Sequence, residues 1–126
     1  MKATIYLPIV GVLISGLLAA CGEQHAGPIK VVEATYGWNC RNYKVPAPFP
    51  NAVKIGNATA PVAAACNGKT GECVYAVDAK KIGDPANTCG KDFSVKYRCG
   101  ESGDVHIAKL EGEASGKSIT LSCPGK

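Results

Sequence analysis

The chain has 126 residues, with 14 basic and 10 acidic side chains, a formal charge of +4 and seven cysteines. That length accommodates a single domain. Its Lys and Arg residues are scattered rather than massed, which excludes the electrostatic footprint of a nucleic-acid-binding protein.

Met1 to Ala20 carries one charge, Lys2, and then an uncharged run from Ile5 that ends Leu18-Ala19-Ala20-Cys21. A short positive start, an apolar stretch and small residues before a cysteine read as a secretory signal over residues 1–20. The small-small-Cys ending resembles the bacterial lipobox, in which processing lipidates the cysteine and cuts before it. Cys21 is therefore the expected lipidation site, and the mature chain would be the 106 residues from Cys21 to Lys126. The alternative is a membrane span that leaves Cys21 free. Gly22, rather than Asp, follows the lipid cysteine, which resembles lipoproteins sorted to the outer membrane. Residues 21–28 read as a lipidated tether and 29–126 as the folded domain. A diacyl unit plus an N-acyl chain exceeds what stable anchoring to a membrane requires. Without Lys2 the formal charge is +3, and without Cys21 the cysteines number six, an even count that in an exported chain implies three disulfides.

In chain order, Ile29–Tyr36 is rich in Val, Thr and Tyr and reads as a strand, although its alternation is imperfect. Residues 42–56 hold Pro46, Pro48 and Pro50 and form a surface loop. Asn57 is expected to cap a short helix over residues 58–65, with Pro61 in its first turn and Gly68 stopping it. Residues 72–77 are β-like and 80–90 turn-rich. From 91 to 99 the pattern alternates cleanly, with Phe93, Val95 and Tyr97 on one face. Residues 105–110 and 118–123 are two further strands. The expected class is α+β: a small β-rich domain with one short helix. A domain of this size is marginal on burial alone, so disulfides supplement its core.

The most informative segment runs Cys66-Asn67-Gly68-Lys69, Cys73, Gly83-Asp84-Pro85, then Lys91, Val95, Tyr97 and Cys99. It resembles the sea-urchin egg lectin, or rhamnose-binding lectin, family. Ala34-Thr35-Tyr36-Gly37 resembles that family's Ala-x-Tyr-Gly-Arg, with Trp38 where the family has Arg. The family's opening Leu-x-Leu-x-Cys strand has its counterpart at the C-terminus, in Ile119-Thr120-Leu121-Ser122-Cys123. The expectation is a circularly permuted relative whose last strand fills the slot of the family's first. The resemblance implies the disulfides Cys99–Cys123 and Cys66–Cys73, which leaves Cys40–Cys89. Loop-closure entropy assigns roughly 3.5, 2.5 and 4 kcal/mol to these three in turn. No Cys-x-x-Cys is present, so a zinc site has no anchor.

The resemblance also implies sugar-binding roles for Tyr36, Asp84 and Lys91, and it places Asp78 near a family asparagine. A glutamate that binds sugar in the family has its counterpart, under permutation, in Glu111 or Glu113. Carboxylates accept hydroxyl protons and an ammonium donates to oxygens, which is the chemistry sugar recognition needs. Read from the residues alone, Tyr36 is equally a core residue, Asp84 before Pro85 a turn former and Lys91 a solvated strand edge, while Trp38 is either a stacking platform or, as is expected here, a lid over the core. His25 and His106 have no nucleophile motif to pair with, and no phosphate loop or metal-ligand spacing occurs. The expectation is therefore a non-enzyme without cofactor or metal. Its expected partners are the membrane, through the lipid anchor, and a glycan or envelope polysaccharide. A protein-binding lipoprotein such as a lysozyme inhibitor, or a structural or antigenic envelope protein without a ligand, are the alternatives.

Overall fold

The structure is a computed structural model that describes residues 27–124. The expected leader, Cys21 and residues 22–26 of the tether lie outside the described residues. Within them the chain is α+β: β1 (Ile29–Tyr36), a 3-10 turn (Trp38–Cys40), α1 (Thr59–Cys66), β2 (Gly71–Ala76), the single turn α2 (Ala79–Ile82), β3 (Phe93–Cys99), β4 (His106–Leu110) and β5 (Ser118–Cys123). No helix among the described residues is long and apolar enough to cross a membrane.

The strands form two antiparallel sheets. One has the order β1-β3-β4 and the other pairs β2 with β5. The period-2 alternation of β3 turns Phe93, Val95 and Tyr97 inward, where they meet Ile119 and Leu121 of β5 and Tyr75 of β2. Phe93 and Tyr75 stack across the two sheets, with centroids 5.9 Å apart and planes inclined by 11°. Val62 and Cys66 of α1 complete this core.

The imperfect alternation of β1 has a cause. The register skips Val32, a β-bulge: Val31 pairs with Tyr97 and Glu33 with Lys96, so Val32 has no partner. The inward set is therefore Ile29, Val31, Ala34 and Tyr36, while Val32 is 46% exposed.

The free edge of β1 is closed by side chains from the segment around α1. The Val31, Ala34 and Tyr36 amides donate to Asn67 Oδ1 (2.7 Å), Thr59 Oγ1 (2.9 Å) and Asn57 Oδ1 (2.7 Å). Asn57 Nδ2 in turn donates to the Tyr36 carbonyl at 2.8 Å. Such closure removes an edge that would otherwise invite strand addition. It also corrects the expectation for Asn57. The residue at the N-cap of α1 is Ala58, without a side-chain bond, because the Asn57 side-chain amide is committed to the backbone amide and carbonyl of Tyr36.

β5 does not pair with β1; its ladder is with β2. Its last residue nevertheless lies where β1 begins, because Cys123 is bonded to Cys99, the ladder partner of Ile29. The other disulfides are Cys66–Cys73, between the end of α1 and β2, and Cys40–Cys89. Cys40–Cys89 holds the 3-10 turn against the segment before β3. The loop of residues 41–57 is fastened beside it, since Asn51 Nδ2 donates to the Cys40 and Tyr43 carbonyls and the Ala52 amide donates to the Pro85 carbonyl.

Candidate functional site

At the end of the first sheet, side chains from four parts of the chain meet. Tyr36 closes β1, Lys91 precedes β3, Asp84 lies in the turn after α2, and Glu113 lies between β4 and β5. Lys91 is buried, only 3% exposed, and so is not the solvated strand-edge residue of the alternative reading. Its stem passes over Gly37, whose φ of +87° suits glycine; a Cβ there would come within 2.9 Å of Lys91 Cγ. Its ammonium lies 5.5 Å from the centroid of the Tyr36 ring.

A lysine ammonium has three protons, and three acceptor oxygens lie within 3.0 Å of this one. Nζ donates to the Ala86 carbonyl (3.0 Å) and the Cys89 carbonyl (2.6 Å), and pairs with Asp84 Oδ1 (2.9 Å). Glu113 Oε2 lies 3.9 Å away and also accepts the Lys91 backbone amide at 3.0 Å. Glu113 Oε1 accepts the Tyr36 hydroxyl at 2.6 Å and the Ser115 amide at 3.1 Å. Burial raises the Glu113 pKa, but the bonds from Tyr36, Lys91 and Ser115 and the Lys91 charge outweigh it, so the carboxyl titrates below its ordinary value. Tyr36 moves the other way: burial first, then the hydrogen bond and charge of Glu113 and the charge of Asp84, hold its phenol protonated far above neutral pH.

The outward components of this cluster are its carboxylates. The Asp84 and Glu113 side chains are 42% and 46% exposed. Asp84 Oδ1 is occupied by Lys91 and by the Ala86 amide at 3.3 Å, so this residue both forms a turn and belongs to the cluster. Its Oδ2 has no partner among the described residues. The surface offered to a ligand is thus two fixed acceptors with no free ammonium donor. It suits a ligand that donates hydroxyl protons, and it repels an anion.

Three of the four residues singled out from the sequence, Tyr36, Asp84 and Lys91, come together here. Asp78 does not join their bonding network. It caps α2 by accepting the Lys80 amide at 2.9 Å, and its charge, after burial, raises the pKa of Tyr75. Glu113 is the fourth member, and of the two glutamates marked by the resemblance it is the one in contact. Ser115, which orients Glu113 and accepts the Ala79 amide at 3.1 Å, had no local signal in the sequence. Trp38 is not a lid over the core but 39% exposed. Comparison with protein-family models, curated proteins and solved structures finds no match for this chain.

Proposed function

We propose that this chain is an envelope-anchored lipoprotein, lipidated at Cys21 and sorted to the outer membrane. Its folded part binds a neutral, hydroxyl-rich sugar through Asp84 and Glu113. The observation that carries the reading is convergence. Tyr36, Asp84 and Lys91, which the lectin resemblance marks in three separate segments, share one hydrogen-bonded cluster with Glu113. The nearness of the Cys123 end of β5 to the start of β1 supports a permuted arrangement, since joining those ends would recreate the order of strands in the lectin family. In this reading Lys91 is the internal counter-ion that keeps both carboxylates charged and fixed, and the carboxylates accept adjacent ligand hydroxyls.

The test is a glycan array carrying L-rhamnose, galactose and envelope polysaccharides, probed with the protein and with Asp84→Ala and Glu113→Ala. Binding of a neutral sugar that both variants lose supports the reading. Absence of binding to every glycan removes it, and inhibition of lysozyme by the same preparation would favour the protein-binding alternative. Cys21→Ser should release the protein from membranes into the soluble fraction; retention would remove the lipid anchor.

A further inference from the structure

The outer face of the first sheet has a feature in which the cluster takes no part. Glu33 of β1, Lys96 of β3, and Ile107 and Lys109 of β4 lie on that face, and with Trp38 and Ile55 they line a groove of about 210 Å³. Its apolar members are left open: Trp38 is 39%, Ile55 58% and Ile107 57% exposed. The indole is nonetheless fixed. The Arg41 guanidinium sits 4.7 Å from the Trp38 ring and donates to the Trp38 carbonyl at 2.9 Å, so side chain and backbone are gripped together.

The charges of the groove are unequal. Glu33 and Lys96 pair at 3.2 Å. Lys109 is exposed and has no carboxylate partner among the described residues, and Arg41 adds a second positive charge beside Trp38. A fixed aromatic platform next to an unpaired ammonium matches a ring that is apolar on one face and carries a carboxylate. The volume lies below the roughly 300–1,000 Å³ of drug-sized ligand sites, which suits one such ring. A peptide strand would instead seek an open sheet edge, and this groove lies on the face.

We propose that the groove is a second glycan subsite, selective for a carboxylated sugar residue, with Trp38 as its stacking platform and Lys109 as its counter-ion. It does not depend on the sugar reading of the cluster, whose exposed carboxylates would repel the same ligand.

Trp38 is the single tryptophan of the chain, so intrinsic fluorescence reads this groove. The oxidised full chain would be titrated with trigalacturonate, galactotriose and a hexaglutamate peptide. The expected result is a saturable change with trigalacturonate, at least about tenfold weaker with galactotriose and with hexaglutamate, and weakened by added salt. Lys109→Gln should weaken trigalacturonate binding about tenfold, whereas Lys30→Gln, a surface lysine outside the groove, should leave it unchanged. No saturation by about 1 mM trigalacturonate would overturn the proposal. So would equal affinity for galactotriose, equal affinity for hexaglutamate, or undiminished binding by Lys109→Gln. Because Lys109 is exposed, its replacement leaves folding intact, and an unchanged thermal transition verifies this.

Discussion

The cluster at the end of the first sheet and the groove on its outer face use the same residue types in opposite ways. In the cluster a lysine is buried, three acceptor oxygens lie within 3.0 Å of its ammonium, and the carboxylates it fixes are what faces outward. In the groove a lysine stands exposed beside an open indole, without a carboxylate partner among the described residues. The difference lies in desolvation. A charge taken out of water must be matched inside the protein, and removing one member of the match is then costly, whereas a charge left in water contributes little to folding and stays available to a ligand. Substitutions should therefore separate the two regions, with stability responding in the cluster and affinity in the groove.

The largest effect is expected where the regions share a support. Cys40→Ser with Cys89→Ser opens the longest disulfide loop, with partners 49 residues apart, and should cost up to about 4 kcal/mol in urea unfolding. The bond lies between the turn that carries Trp38 and the carbonyl of Cys89 that holds Lys91, so both regions should loosen together. An intact groove in that double variant would show them to be independent. Next is Lys91→Met, which leaves Asp84 and Glu113 without their shared cation. A loss of about 3 kcal/mol is expected, against less than about 0.5 kcal/mol for Lys109→Met; equal losses would erase the distinction between the two lysines. Asn57→Ala should cost about 2 kcal/mol, since it strips partners from the Tyr36 amide and carbonyl.

The smallest effect is a pH dependence. The Glu113 pKa is lowered in the folded state, so its carboxylate stabilises the protein above the unfolded value. That contribution is lost as pH falls below about 4.5 toward the folded value. Half-exposure of the side chain limits its size. In Glu113→Gln the stability curve should be flatter on the acid side, and an unaltered acid limb would contradict the bonding of Glu113 to Tyr36, Lys91 and Ser115.

Much of the fold was legible in the sequence because it depends on local periodicity. The alternation of Phe93, Val95 and Tyr97 is a property of one strand, and the structure turns those residues into the core. Residues 80–90 read as turns and contain only the one-turn helix α2. Two readings failed, one through a remote partner and one through a local turn. Asn57 looks like a cap because a helix starts just beyond it, yet its amide is used by a strand 21 residues earlier. Trp38 looks like core by residue type, yet the turn after Gly37 carries it onto the outer face of the sheet. The cluster was legible only in part, because Tyr36 and Glu113, which bond to each other, lie 77 residues apart. No spacing rule connects the two.

The bulge at Val32 bears on how such a protein can change. It absorbs the extra residue, so that Tyr36 still lies on the cluster side and Glu33 on the groove side. Losing Val32 would restore strict alternation with Glu33 still opposite Lys96 and Tyr36 still opposite Phe93, so both surfaces would survive it. Losing or gaining one residue between Glu33 and Tyr36 would instead turn Tyr36 to the other face, an effect no substitution has. The strand should therefore tolerate loss of its bulge residue far more readily than a change of length beyond it.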